Sequence, residues 1–214
     1  LILDPPVNCL NPEASIPVWS GKQVFIPGNK QKVLFREGTV SINSWREPAY
    51  RKMTPNPSSV FNEFLRFVIP EERGRSVFLD WLAWSLQHEN QKPSWAVMLY
   101  SEKQGTGKST LADVLKELFG SLNTGRINGV NKLVGRFNKE VLANKLVIVE
   151  EVEVKRGSPH ANRIKSLVTE DSTMVEAKNM PVYVENIFCA FVMTTNHLPL
   201  WLEESDRRFF ILNF

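Results

Sequence analysis

The sequence has few cysteines and no long apolar run. Among its 214 residues the only cysteines are Cys9 and Cys189, which lie far apart, and the second stands in an apolar run. This pattern favours buried thiols in a reducing compartment over a disulfide framework. No stretch approaches the ~18–20 continuous apolar residues of a membrane span, and the N-terminus lacks a basic-then-apolar signal pattern. We therefore expect an intracellular, cytoplasmic protein with no membrane partner.

Neither sign of charge dominates the chain. It has 26 Lys and Arg against 23 Asp and Glu, a net charge of +3. This balance permits a nucleic-acid partner, but any DNA contact must then come from local placement of basic residues. Hydrophobic residues make up 43% of the sequence, enough for one large core or two smaller ones. Because the chain starts at Leu1 and ends at Phe214 within an apolar run, we expect it to be part of a longer polypeptide.

Three regions differ in texture. Residues 1–57 are rich in Pro, Asn and Gly, and two short extended runs joined by Glu37-Gly38 predict a small β-hairpin. Residues 58–92 carry apolar side chains at helical spacing and predict a helical subdomain, in which Trp81 and Trp84 pack in the core. Residues 93–214 form the third region, with the apolar runs Trp95–Tyr100, Leu146–Val149 and Phe188–Met193. Strands apolar on both faces are typical of a mostly parallel sheet covered by helices, which makes the fold class α/β.

A glycine-rich loop follows the first of these apolar runs and precedes a helical pattern that ends near Gly120. This strand–loop–helix context is typical of a P-loop, which binds nucleotide phosphates with backbone N–H groups and the positive end of a helix. Lys108 would neutralise the β and γ phosphates of ATP, and the Ser109 hydroxyl would ligate Mg²⁺. The predicted nucleotide-binding residues are Gln104, Gly105, Thr106, Gly107, Lys108, Ser109 and Thr110.

The loop departs from the full P-loop pattern at one position. The pattern G-x-x-x-x-G-K-[ST] has glycine where this sequence has Glu102. The segment Gly105–Ser109 nevertheless retains the specific part of the motif in the right context. We therefore predict ATP binding, and leave the effect of Glu102 open.

Two adjacent carboxylates, Glu150 and Glu151, end the second apolar run. Strand ends are often merely solvated, but parallel strands place their carboxyl ends at the edge where the glycine-rich loop also lies. One carboxylate can then hold the metal through water while the other polarises the attacking water. We assign the metal to Glu150 and the general base to Glu151.

Two further polar elements come later in the sequence. Asn196 follows the third apolar run, where its amide could orient the lytic water or contact the γ-phosphate. Arg207 and Arg208 precede the last apolar run. Such pairs are usually surface charge, but in a ring ATPase an arginine must reach the γ-phosphate bound by the neighbouring subunit. We favour Arg208 slightly over Arg207 for that role.

The order of these elements resembles the superfamily-three helicases, most closely those of phage, plasmid and poxvirus-type primase-helicases. The resemblance rests on the loop Gln104–Ser109, the acidic pair, Thr194-Thr195-Asn196 and the trailing arginines, and covers about Trp95–Phe214. It implies an AAA+-like ATPase that assembles as a hexameric ring around single-stranded DNA. It also allows for a linked primase or polymerase domain outside this sequence.

The same resemblance implies a DNA-contacting β-hairpin between the acidic strand and the Asn196 strand. Met174–Lys178 and Pro181–Glu185 would be its strands, with Lys178 and Asn179 at the tip. Lys178 would then contact DNA phosphates in a salt-sensitive way. Lys165, on the preceding helix, matches a lysine of the same region with a less defined role, and an ordinary exposed turn lysine remains the alternative for Lys178.

Three interpretations follow for function. The leading one is an ATP-driven DNA helicase or translocase of a replicative primase-helicase. The same residues would serve a DNA-dependent ATPase for loading or origin melting, and the sequence does not separate the two. A non-hydrolysing ring-assembly or binding module is the third, and the intact Lys108, Ser109, Glu150 and Glu151 argue against it.

Overall fold

The N-terminal part of the structure is a small mixed sheet. The computed structural model describes residues 18–36, 39–54, 56, 59–135, 138–176, 182–203 and 205–214. Strands β1 (Val18–Val24), β2 (Val33–Arg36) and β3 (Thr39–Asn43) lie in the order β1-β3-β2. β2 and β3 are antiparallel and form the predicted hairpin, whereas β1 runs parallel to β3.

Two helices follow and lead into the main sheet. Helix α1 (Ser59–Val68) ends before Pro70, and helix α2 (Glu72–Gln87) continues from Glu71. Trp81 is 2% exposed and donates a hydrogen bond from its indole Nε1 to the carbonyl oxygen of Trp95 at 3.3 Å. The predicted core role of Trp81 is therefore confirmed, whereas Trp84 is only half-buried and stacks on the ring of His88.

The main sheet has five parallel strands. They are β4 (Ala96–Tyr100), β5 (Thr124–Asn128), β6 (Leu146–Glu150), β9 (Ala190–Thr195) and β10 (Phe209–Asn213), in the order β10-β4-β9-β6-β5. The helices between them are α3 (Lys108–Phe119), the single turns α4 (Asn131–Val134) and α5 (Lys139–Leu142), and α6 (Pro159–Thr169). The predicted α/β fold with a parallel sheet is confirmed.

Helices cover both faces of this sheet. On one face, α1, α2 and α3 pack through residues such as Leu65, Phe78 and Leu115. On the other face, α6 packs through Ile164 and Leu167. Alternate residues of the central strands contribute to the two cores, because successive side chains of a strand point to opposite faces. This two-sided burial explains why these strands read as continuous apolar runs.

The strand before Asn196 extends further than its apolar run. The apolar run is Phe188–Met193, whereas β9 begins at Ala190 and continues through Thr194 and Thr195, whose side chains are both buried. β-Branched threonines fit a pleated strand, and these two pair with Leu99 and Tyr100 of β4. Asn196 is thus the first residue beyond the carboxyl end of β9.

A second hairpin projects between α6 and β9. Its strands β7 (Ser172–Val175) and β8 (Tyr183–Asn186) are antiparallel, with Val175 paired to Tyr183. A hairpin was predicted in this segment, although the observed β7 begins and ends before the predicted bounds. Lys178 and Asn179, the predicted DNA-contacting tip, lie outside the described residues.

In the described part of the chain, no helix is both long enough and apolar enough to cross a bilayer.

Candidate nucleotide-binding site

The glycine-rich loop connects the carboxyl end of β4 to the first residue of α3. Gly107 caps α3 with a φ of 98°, and Gly105 has a φ of 73°. Both values lie in the left-handed region that glycine adopts without a steric penalty. A Cβ atom on Gly107 would also lie 2.8 Å from Cγ1 of Val68 in α1, whereas one on Gly105 would meet nothing within 4 Å. Helix α1 therefore packs directly against the loop.

Glu102 occupies the loop position where the full motif has glycine. Among the described non-glycine residues only Glu151 has a positive φ, so the backbone at Glu102 is one that any residue adopts. The Glu102 side chain is exposed and accepts a hydrogen bond from the Tyr100 hydroxyl at 3.0 Å. Nothing in the conformation of this loop therefore requires glycine at position 102.

Lys108 lies at the start of α3 and folds back into the loop. Its Nζ donates a 2.8 Å hydrogen bond to Oδ1 of Asn196 and makes 3.4 Å contacts with the Ser101 carbonyl, the Lys103 carbonyl and the Thr106 hydroxyl. The side chain is buried, and this desolvation lowers the pKa of Lys108 below its ordinary value. Among the described residues, the oxygens that accept hydrogen bonds from the ammonium are all neutral: two backbone carbonyls, a hydroxyl and an amide oxygen.

Glu150, the last residue of β6, is held by an arginine on the neighbouring strand. Arg126 of β5 donates from Nε to Oε2 at 2.9 Å and from Nη2 to Oε1 at 2.8 Å. Its third nitrogen, Nη1, donates to the Asp113 carboxylate of α3. Hydrogen bonding to the Glu150 carboxylate, above all, raises the pKa of Arg126 above its ordinary value. The guanidinium thus ties the acidic strand to the helix that follows the loop.

Glu151 is the next residue, and its backbone is in a left-handed conformation. Its φ is 53° and its side chain is exposed. This conformation costs a non-glycine residue about 1–2 kcal/mol. The following residue anchors the turn, because the backbone N–H of Val152 donates to the carbonyl oxygen of Thr194 at 2.8 Å. The strained turn separates the two carboxylates, so that Glu150 meets Arg126 while Glu151 is left open to solvent.

One cleft of about 410 Å³ contains most of the predicted site. It lies at the carboxyl edge of the parallel sheet, where polar side chains following β4, β6 and β9 converge. Ser109 and Thr110, both exposed, stand at its wall on the first turn of α3. The full lining consists of Gln104, Gly105, Thr106, Gly107, Lys108, Ser109, Thr110, Asn128, Glu150, Glu151, Thr194 and Asn196.

Arg207 and Arg208 lie at the opposite edge of the sheet. They precede β10, whose first residue, Phe209, pairs with Ala96 at the amino end of β4. The Arg208 side chain contacts the carboxylate of Asp206 at 3.3 Å, whereas Arg207 is exposed. A five-residue strand spans about 16 Å, so these arginines are remote from the cleft of their own chain.

Lys165 of α6 forms an ion pair with Asp206, the residue that Arg208 also contacts. Its Nζ lies 2.9 Å from the Asp206 carboxylate, and the two side chains are 14% and 1% exposed. Burial alone would raise the pKa of Asp206, but hydrogen bonds from Lys165 and the Arg208 backbone hold it below its ordinary value. Lys165 is therefore committed to an internal ion pair that orders the segment before β10, and this pairing does not favour the predicted DNA contact.

Sequence reasoning missed two residues of the site, Arg126 and Asn128. Both lie on β5, whose sequence Thr-Gly-Arg-Ile-Asn has a single large apolar residue and gave no strand signal. The parallel register of β5 and β6 places Asn128 opposite Glu150 and brings Arg126 within reach of the same carboxylate. From the sequence alone, nothing indicates that Arg126 pairs with Glu150, because the pairing depends on the register between β5 and β6.

The described residues contain no group of three or more His, Cys, Asp or Glu side chains that could hold a metal ion by themselves. Mg²⁺ commonly binds through one or two protein oxygens together with substrate phosphates and waters. The hydroxyl of Ser109 and the carboxylate of Glu150, which line the same cleft, are oxygen donors of this kind. The donor set therefore fits a magnesium ion that arrives with a nucleotide.

The fold and the cleft define an α/β protein with a lysine-containing loop at the carboxyl edge of a parallel sheet. By sequence, the chain belongs to a protein family of unknown function, DUF5906, whose model matches residues 99–208. That match runs from the end of β4 to Arg208 and includes all the predicted site residues.

A curated relative and solved structures extend the comparison. The chain is 30% identical over 184 residues to the "DNA Primase-polymerase" of Nitratiruptor phage NrS-1, covering 82% of this chain and 25% of the relative. Two apo structures of the NrS-1 C-terminal region superpose with TM-scores of 0.75 and 0.71, each at 26% identity over 89% of this chain. The chain spans 47% and 45% of those two solved chains, and about a quarter of the curated relative.

Proposed function

We propose that this chain is the ATP-hydrolysing core of a replication helicase or translocase that acts as a ring on single-stranded DNA. The observation that carries the proposal is the 2.8 Å hydrogen bond between Lys108 Nζ and Asn196 Oδ1. It joins the loop to the strand end 88 residues away, in a cleft that also contains Glu150 and Glu151. Such a convergence of cation, carboxylates and amide suits phosphoryl transfer, where catalysis is mainly positioning and charge stabilisation.

Lys108 and the loop backbone would bind the ATP phosphates. Among the described residues, the buried lysine ammonium donates to neutral oxygens, three of them at a long 3.4 Å. A phosphate oxygen carries negative charge and forms a stronger, charge-assisted hydrogen bond than these neutral oxygens. The two left-handed glycines curve the loop and help to aim its N–H groups at the phosphates, as the start of α3 does.

The carboxylates would divide two tasks between them. Ser109 and Glu150 would hold Mg²⁺, which when bound neutralises charge on the β and γ phosphates. Glu151 lines the cleft with an exposed side chain and would accept a proton from the attacking water. Asn196 would orient that water or the γ-phosphate once Lys108 transfers its hydrogen bond to the nucleotide.

The DNA and ring parts of the proposal draw their support from similarity and from geometry. The relative is a DNA primase-polymerase, which supports a role in replication and a linked primase or polymerase domain. Arg207 and Arg208 lie across the sheet from their own cleft, an arrangement that suits action on a neighbouring subunit of a hexamer. Lys178 and Asn179 remain the proposed contacts to the DNA strand.

A phosphate-release assay with and without single-stranded DNA tests this function. We expect turnover that DNA stimulates, and a loss on the order of 10²–10³-fold in Lys108→Ala, because the phosphates lose their main cation. Lys103→Ala is the matched control, since it removes an exposed lysine of the same loop. Normal hydrolysis in Lys108→Ala would contradict the site.

The same assay separates the alternative functions. Turnover without strand displacement would favour a loading or origin-melting ATPase. No turnover in either condition would leave only a binding or ring-assembly module.

A further inference from the structure

The side chain of Arg126 connects three elements around the cleft. From β5 it contacts both oxygens of Glu150 at the end of β6, and it also reaches Asp113 in the second turn of α3. The side chains of Arg126 and Glu150 are 29% and 23% exposed, so water competes only partly for these contacts. A paired fork of this kind fixes the plane of a carboxylate as well as its position.

The pairing with Arg126 disfavours direct ligation of a divalent ion by the Glu150 carboxylate. Both carboxylate oxygens already accept a hydrogen bond from the guanidinium. An ion ligated directly to either oxygen would stand about 6 Å from a fixed positive charge, which lowers its affinity about tenfold even at the dielectric constant of water. An ion that reaches Glu150 through an intervening water would lie further from Arg126 and be repelled less.

We propose that Arg126 is a positioning residue that orients the Glu150 carboxylate and prevents direct metal ligation, so that the metal contacts Glu150 through water. The inference rests on the proposed function, since it requires a metal–nucleotide complex in the cleft. The inference also explains why two adjacent carboxylates have different roles. Arg126 holds Glu150, while the left-handed turn leaves Glu151 open to solvent for proton transfer.

Binding of a fluorescent, non-hydrolysable ATP analogue, titrated with Mg²⁺, tests the inference without requiring turnover. For Arg126→Gln we expect the Mg²⁺ concentration at half-maximal binding to fall severalfold, by up to about tenfold, because the repelling charge is gone and direct ligation to Glu150 becomes possible. For Arg126→Lys we expect a value within about twofold of the wild type, since the charge remains. Arg73→Gln, which removes an exposed arginine on α2, should leave the midpoint unchanged.

Phosphate release by the same variants provides the second readout. Both Arg126 variants should turn over more slowly, because neither retains the fork that orients Glu150. If Arg126→Gln does not fold, Arg126→Lys decides: slower turnover at an unchanged melting temperature and Mg²⁺ midpoint supports the inference, and wild-type turnover overturns it.

The outcomes separate this inference from the proposed function. A wild-type protein that binds no nucleotide at any Mg²⁺ concentration would overturn both. A wild-type protein with Mg²⁺-dependent binding, together with an Arg126→Gln variant that needs the same or more Mg²⁺, would overturn only the role of Arg126.

Discussion

Gly105 and Gly107 lie two residues apart in one loop but in different surroundings. Both have a positive φ, so any side chain at either position is strained. Only Gly107 also faces another element, with Cγ1 of Val68 2.8 Å from the place of an added Cβ. A side chain at Gly105 would therefore meet only backbone strain, whereas one at Gly107 would meet backbone strain and steric overlap with Val68.

We expect Gly107→Ala to destabilise the protein more than Gly105→Ala. The backbone cost alone is about 1 kcal/mol, and crowding against α1 adds about 1–3 kcal/mol at Gly107. Urea unfolding without nucleotide measures both variants. Equal losses would mean that α1 does not pack on the loop as described.

Helix α6 is the element that connects the second hairpin to the segment before β10. Arg163 donates to the Thr173 hydroxyl of β7 at 2.6 Å, and Lys165 pairs with Asp206. Pro159 at the first position and the Ser158 side chain, which accepts from the backbone N–H of Ala161, define the start of the helix. A single well-capped helix thus positions two of the predicted functional segments.

Stability should depend on pH through the ion pair that α6 forms with Asp206. The folded-state pKa of Asp206 lies below its ordinary value of 3.8, so the stabilising contribution is present above about pH 4 and is lost as the pH falls through the folded pKa. We expect Asp206→Asn to lose about 1–3 kcal/mol at pH 7, because Lys165 loses its buried partner and keeps only the exposed Glu203 at 3.8 Å. The difference from the wild type should shrink below about pH 4.

Urea unfolding from pH 7 to pH 3 checks this expectation. Asp80→Asn, at an exposed position of α2, is the control and should follow the wild type throughout. A difference between Asp206→Asn and the wild type that stays constant with pH would contradict the ion-pair account.

The whole molecule places its predicted catalytic groups at opposite edges of one sheet. Lys108, Glu150 and Asn196 lie at the carboxyl edge, and Arg207 and Arg208 lie at the amino edge. One chain by itself cannot bring the arginines to its own cleft without disrupting β10. If the arginines act at all in hydrolysis, a second copy must supply them.

We therefore expect Lys108→Ala and Arg208→Ala to complement each other when mixed. Each variant alone should be inactive, whereas a mixed ring has some interfaces with an intact cleft facing an intact arginine. Random equimolar mixing leaves about a quarter of the interfaces complete, so up to about a quarter of wild-type turnover should return.

The complementation experiment also distinguishes the two arginines. Substituting Arg207→Ala for Arg208→Ala in the mixture reports which side chain acts in the neighbouring cleft. A mixture that co-assembles by size analysis but stays inactive would contradict a role for Arg208 across the interface.

The elements that the sequence predicted well have strong local signals. Apolar runs mark β4 and β6, and glycines followed by helical spacing mark the loop before α3. Each of these signals lies within one short stretch of sequence, and each element appears in the structure with small changes of boundary. β5 escaped prediction because only Ile127 among its five residues is a large apolar one, so burial contributes little to its signal. The last two residues of β9 have a weaker strand signal than its apolar run, because threonine is polar, although Thr194 and Thr195 are both buried.

The sequence by itself determined which chemical groups are available and where the strand–loop–helix unit lies, because these depend on neighbours along the chain. The tertiary structure alone decided the pairings of Lys108 with Asn196, Arg126 with Glu150 and Lys165 with Asp206. Each of these pairs joins residues that are between 24 and 88 positions apart. Strand order and register bring such residues together, and neither is encoded in any local pattern.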